Sequence, residues 1–187
     1  MNIAIFLAQK FDFDAGGVQR STSKLAKIFK SRQHHVIILS VGNHTTRKEH
    51  YDEISLYYID IKETDSITPI LENEQINCVI NQKGYSVSFT KLILKNKPAN
   101  TKMINTLRIN PLNFYDNHKH IIKELFKSKK VGFLNTLITR KVILGYHIVK
   151  QNIELSYVIK NTNAFVMLSE RFKPELYQIS PQLKQYE

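Results

Sequence analysis

Gly16 and Gly17 stand between an apolar run and a helical pattern, and of all the residue types in this chain they are best suited to admit another molecule against the backbone. With no Cβ they permit φ > 0 and close approach. At the start of a helix they also leave unpaired N–H groups and the positive dipole end facing outward, which suits an anion. The same pair also serves as a plain tight connection from strand to helix, and spacing leaves both readings open. It is not the GxGxxG dinucleotide pattern, and no GK[ST] follows to make a P-loop. Elsewhere, His34-His35, His118, His120 and His147 lack HExxH spacing and have no cysteine near, so no metal site is expected. No GxSxG elbow offers a nucleophilic serine. The one cysteine, Cys78, lies in the apolar run Ile76 to Ile80 and reads as an inert core thiol. These residues yield no catalytic assignment and no resident cofactor.

The elements that position the glycines come next. Asn2 to Ala8 is nearly continuous and apolar, the pattern of a strand buried on both faces. Val18, Thr22, Leu25, Ala26 and Phe29 then recur on one helical face, with Arg20, Lys24 and Lys27 outward. His35 to Val41 is a second apolar run, so the opening is a βαβ unit with parallel strands. Further along, residues 43–53 read as a polar surface loop and Ile54 to Ile61 as a peripheral strand. Asp65 to Asn73 reads as a short helix, Ile76 to Asn81 as a strand, Tyr85 to Lys95 as a helix and Lys102 to Leu107 as a strand. A helix around Asn117 to Lys127, a long helical stretch from Val131 to about Lys160, a strand from Asn163 to Leu168 and a helix from Glu170 to Gln178 complete the expectation. About six strands alternating with helices imply an α/β, doubly wound parallel sheet, Rossmann-like in type. Ligands of such sheets bind beyond the carboxyl ends of the strands. The rule places Gln9 to Gly17, Asn81 to Gly84, Arg108 to Pro111 and Ser169-Glu170 on one rim.

Composition narrows the function classes. The chain has 187 residues, 42% of them hydrophobic, which suits one folded domain. A single cysteine excludes an internal disulfide and fits a reducing interior. No basic n-region precedes a cleavage site, and no apolar run is long enough to span a bilayer. The net charge of +11 is concentrated toward the second half. Such a surface attracts phosphates, yet the lysines are scattered and no nucleic-acid motif accompanies them, so no specific nucleic acid is expected. The stretch 131–160 is basic and partly amphipathic; it suits packing across a sheet, or peripheral contact with a membrane.

The order Met1-Asn2-Ile3, Ala15-Gly16-Gly17-Val18-Gln19-Arg20, Leu25-Ala26, then Gln33-His34-His35-Val36 with Ile37 to Ser40, resembles the N-terminal half of GT-B glycosyltransferases, and within them the retaining family 4 enzymes. Val79-Ile80-Asn81-Gln82, Ile104-Asn105-Thr106-Leu107 and Val166-Met167-Leu168-Ser169-Glu170-Arg171-Phe172 resemble later segments of the same half. The resemblance implies the acceptor-side domain of a glycosyltransferase, with residues 1–179 as that domain and 180–187 as the start of an inter-domain linker. It also implies a glycan or lipid-linked acceptor, as in cell-surface polysaccharide synthesis, on the cytoplasmic side with peripheral contact at the inner membrane face. The nucleotide-sugar donor is expected on a C-terminal domain that these residues do not include, so the chain alone is expected to be inactive. Substrate-binding positions are Gly16, Gly17, Gln82, Arg108 and Glu170. Two departures stand out. Gln33 replaces the family's glycine at the end of the first helix, a small strain if φ > 0 is needed there. Arg108 stands where the family has a histidine; permanently charged, it cannot accept a proton near pH 7, so either it holds a phosphate or carboxylate of an acceptor or the site is inactive. The alternative is a non-enzymatic basic module for anionic lipid, nucleic acid or a partner subunit. A nucleotide-dependent oxidoreductase is disfavoured by the missing glycine pattern.

Overall fold

The computed structural model describes residues 1–12, 16–108, 137–167, 169–179 and 181. It divides into one unit of Met1–Arg108 with Val158–Val166 and another of Ile109–Tyr157 with Met167–Glu187. The first unit holds the sheet. Its opening strands are β1 (Asn2–Leu7), β2 (His35–Gly42), β3 (Arg47–Tyr51) and β4 (Ile54–Asp60). They are followed by β5 (Cys78–Asn81), β6 (Lys102–Leu107) and β7 (Ala164–Met167), in the spatial order β3-β4-β2-β1-β5-β6-β7. Seven strands therefore replace the expected six.

β1 pairs in parallel with β2 on one side (Ile3 with Val36, Leu7 with Ser40) and with β5 on the other (Ile3 with Cys78, Phe6 with Asn81). From β1 the chain moves outward first toward β2 and β4, then returns to lay β5 and β6 on the opposite flank. Strand order thus reverses between β1 and β5. At such a switch point the two connecting loops diverge and leave a crevice.

The continuous apolar runs form strands buried on both faces, as expected of a sheet with helices on each side. Ile3, Ile5, Leu7, Val36, Ile38 and Leu56 face a core shared with Ala26, Leu25 and Phe29 of α1 (Gly17–Ser31). On the other face, Ala4, Phe6, Ile37, Leu39 and Met103 pack with Ile67 and Leu71 of α2 (Ile67–Asn73) and with Phe89 and Ile93 of α3 (Val87–Asn96). Cys78 is buried in the first of these cores, and burial pushes its thiol pKa up. Gln33 adopts φ 60°, the left-handed turn that a glycine would take at lower cost.

The added strand comes from the segment read as a loop. β3 carries the sequence RKEHY, exposed at all five positions, so no hydrophobic period marks it. It pairs antiparallel with β4, Arg47 opposite Tyr58 and Tyr51 opposite Ile54. The connecting residues Asp52 and Glu53 have φ 46° and 62°. Two consecutive positive values mark the tight hairpin turn normally signalled by Asn-Gly. Lys27 and Lys30 of α1 reach Asp52 and Glu53 at 2.9 and 3.4 Å.

Boundaries elsewhere shift slightly. The third expected helix starts two residues late, at Val87, because Ser86 caps it by accepting from the Phe89 N–H. Thr64–Ser66 forms a 3₁₀ turn before α2. α4 (Leu137–Lys160) covers most of the expected long helix; the helix expected around Asn117 to Lys127 lies outside the described residues. Among the described residues, no helix is long and apolar enough to cross a membrane. In the second unit, a 3₁₀ turn at Glu170–Phe172 leads into α5 (Lys173–Ile179), with Pro174 in the first turn where its missing N–H costs nothing.

Candidate functional site

Four of the five sequence candidates, Gly16, Gly17, Gln82 and Arg108, lie at the carboxyl-end loops beside the β1–β5 crevice, all within the first unit. Gly16 is the N-cap of α1, with φ 61° and ψ 162°, a conformation that side chains resist. It supplies no capping side chain, and the first turn of α1 contains no acid. The helix therefore begins with its N–H groups and dipole uncompensated by the helix's own residues. One turn in, the Ser21 hydroxyl donates to the Gly17 carbonyl at 2.7 Å. Arg108, just past the end of β6, donates from Nη1 to that same hydroxyl. Ser21 thereby joins Arg108 to the glycine turn across 87 residues of sequence.

The loop after β5 forms the opposite wall. The Gln82 N–H donates to the Phe6 carbonyl at 3.0 Å, extending the β1–β5 pairing by one residue. Beneath it, the fully buried Asn81 donates to the Asn105 carboxamide oxygen at 2.8 Å and accepts from the Lys83 N–H at 2.9 Å. Thr106 donates to the Asn81 carbonyl at 3.1 Å and to the Gln82 carboxamide oxygen at 3.2 Å. This network locks the ends of β5 and β6 together, and Gly84 lies directly on β6, its N–H donating to the Thr106 carbonyl at 3.2 Å.

Three nitrogen donors at these strand ends are buried without a partner among the described residues: Arg108 Nε, Gln82 Nε2 and Asn105 Nδ2. A buried donor left unpaired costs roughly 1–3 kcal/mol, so such groups usually meet water or ligand. Burial also lowers the Arg108 pKa from its ordinary value, although a guanidinium keeps its charge at neutral pH. With the Gln82 and Arg108 donors on the α1 side of the sheet, Asn105 facing the α3 side, and a helix N-terminus uncompensated by its own residues, the chemistry beside α1 suits an acceptor-rich group: a phosphate, a carboxylate or sugar hydroxyl oxygens.

Glu170 belongs to the second unit. It follows Ser169, which caps the turn by accepting from the Arg171 N–H at 3.2 Å, and its side chain is 90% exposed, 3.7 Å from Lys173. No group of three or more His, Cys, Asp or Glu capable of holding a metal is found among the described residues. Ser21 escaped the sequence reading; its one signal was its place four residues after Gly17.

The chain matches no protein-family model and no curated protein sequence. Among solved structures it is similar to an alpha-glucosyltransferase in complex with UDP and a 13-mer DNA containing a HMU base. Identity is 12% and the TM-score 0.46, over 89% of this chain and 37% of that one. A second alpha-glucosyltransferase complex, with UDP and DNA bearing a central A:G mismatch, gives 12% identity and a TM-score of 0.48, over 93% and 39% of the two chains. Aspartate semialdehyde dehydrogenase II from Vibrio cholerae gives 11% and 0.36, over 98% and 46%. The chain thus spans less than half the length of each, and at these scores the likeness carries no functional argument.

Proposed function

We propose that this chain is the acceptor-side part of a glycosyltransferase of the retaining family 4 type, one that moves a sugar from a nucleotide-sugar donor to a glycan or lipid-linked acceptor. The observation that carries the reading is the chain of contacts Gly17–Ser21–Arg108, with Gln82 and Thr106 beside it, at the switch point of a doubly wound sheet. Gly17, Gln82 and Thr106 come from the segments that resemble that family, while Ser21 and Arg108 directly follow such segments, Arg108 standing where the family has a histidine. Arg108 holds an anionic or hydroxyl-rich part of the acceptor; it takes no proton. The donor is held by a further domain or a partner subunit, to which the positive end of α1 presents Gly16 and Gly17.

The test uses the 187-residue chain itself. With UDP-glucose as donor and either maltotriose or a polyprenyl phosphate as acceptor, no transfer is expected, while the acceptor binds saturably and Arg108→Met weakens that binding about tenfold. Sugar transfer by the isolated chain would overturn the acceptor-side assignment, and absence of binding by both acceptors would overturn the reading itself. A second reading, peripheral binding to anionic lipid, is favoured by α1, whose exposed side carries Arg20, Lys24 and Lys27 with no acid on the helix. Sedimentation with phosphatidylserine vesicles at ~0.15 M salt separates the two.

A further inference from the structure

A second cavity, of about 680 Å³, lies between the loop that follows β1 and the β3–β4 hairpin, and so shares that one loop with the rim. Lys10 and Asp12 line it from the loop, Arg47 and Glu49 from β3, and Leu56 and Tyr58 from β4. Leu56 and Tyr58 are 2% and 4% exposed, so they form a floor. Arg47 and Glu49, two residues apart on a strand, project to the same side.

The walls are fixed in advance. Tyr58 donates its hydroxyl hydrogen bond to the Phe11 carbonyl at 3.0 Å. The Gln19 carboxamide accepts from the Asp12 N–H and donates to the Lys10 carbonyl at 3.2 Å, so one side chain of α1 sets the loop. His44 stands edge-on to the Tyr58 ring at 5.3 Å, and the Arg47 guanidinium lies over that ring at 4.0 Å. Arg47 Nε donates to Glu49 Oε1 at 2.6 Å. The guanidinium is thereby oriented with further N–H donors in its plane, and the carboxylate keeps a second oxygen as acceptor.

We infer that this cavity binds a neutral glycosyl unit. On a chain of net charge +11, the two cations and two carboxylates lining it cancel, so an anion gains nothing there. A donor fixed beside an acceptor matches a vicinal diol: one hydroxyl accepts from Arg47 while its neighbour donates to Glu49. The apolar surface open to the ring's C–H face is that of Tyr51, 38% exposed at the cavity's edge and on the same side of β3 as Arg47 and Glu49. Pre-set walls spare the ordering cost that makes sugar binding weak. The inference rests on this cavity alone and goes beyond the rim reading.

The test is a titration of the ¹⁵N-labelled 187-residue chain with methyl α-glucopyranoside, followed by amide NMR shifts, with inorganic phosphate as the comparison. Saturable shifts at residues 10–12, 47–51 and 56–58 are expected, with binding weakened at least about tenfold by Arg47→Met and by Glu49→Gln. Both side chains are substantially exposed, 38% and 46%, so either variant is expected to retain its fold; Lys24→Ala, outside the cavity, should leave the titration unchanged. No shifts up to about 0.1 M sugar, unchanged binding in both variants, or phosphate acting at lower concentration than the sugar would each overturn the inference. No donor or transfer is involved, so this result stands apart from the glycosyltransferase test.

Discussion

Gly84→Ala probes the turn that carries Gln82 and closes the buried network at the ends of β5 and β6. A Cβ at Gly84 would sit 2.7 Å from both the N and O of Thr106 and 3.0 Å from the Cβ of Asn105. Those neighbours are main chain and the root of a buried side chain, so no rotamer change relieves the clash. Either β6 moves, breaking its register with β5 (Ile80 with Ile104, Asn81 with Asn105), or the turn lifts and loses the Gly84 N–H bond to Thr106. Overpacking of this kind costs about 1–3 kcal/mol. In a protein of this size each kcal/mol lowers Tm by about 2–4 °C, so a fall of roughly 2–12 °C is expected. Differential scanning calorimetry measures it. Gly17→Ala supplies the contrast, since nothing lies within 4 Å of its Cβ and it begins a helix; it should leave Tm unchanged or raise it. Gly16→Ala meets no atoms either but must adopt φ 61° with ψ 162°, a region essentially reserved to glycine, so it should cost about 1–3 kcal/mol through backbone strain alone. A Gly84→Ala protein melting with the wild type, or a Gly17→Ala protein melting as low as Gly84→Ala, would refute the argument that close packing of this turn on β6 sets the site.

Asn81→Leu should destabilise by about 2–4 kcal/mol, since it strands the buried Asn105 carboxamide oxygen and the partly buried Lys83 N–H; urea midpoints measure this, and a neutral result would mean the network contributes nothing. At the opposite end of the sheet, burial pushes the Glu74 pKa up, but hydrogen bonds from Tyr57, His35 and Lys48 more than reverse this and hold it below the usual carboxylate value. A depressed folded pKa stabilises above the unfolded value near 4.5 and loses that contribution as pH falls through the folded one. Glu74→Gln should therefore be less stable than wild type by about 1–2 kcal/mol at pH 7, with the gap closing below about pH 4.5; a gap constant with pH would contradict the assignment. Cys78, buried with its thiol pKa raised, should resist a thiol reagent in the native state and react at the rate of unfolding; fast native labelling would place it outside the core.

The sequence by itself determined the parallel core of the sheet. Runs such as Asn2 to Ala8 and His35 to Val41 carry too many apolar residues to be buried on one face only, and that property is local to each run. It likewise placed the first helix from the spacing of Val18, Thr22, Leu25 and Ala26, marked the strained position at Gln33, and put Gly16-Gly17 at a helix start. β3 was not legible, because every one of its side chains is exposed and its turn uses Asp52-Glu53 in place of a glycine pair. Its pairing comes from main-chain hydrogen bonds to β4, which leave no trace in side-chain pattern. Nor could sequence show that Arg108 reaches Ser21, that Asn81 meets Asn105, or that Arg47 and Glu49 face Lys10 and Asp12 across a cavity. Each of those meetings joins residues distant along the chain, and only the reversal of strand order at β1, together with the hairpin folded back on β4, brings them within reach.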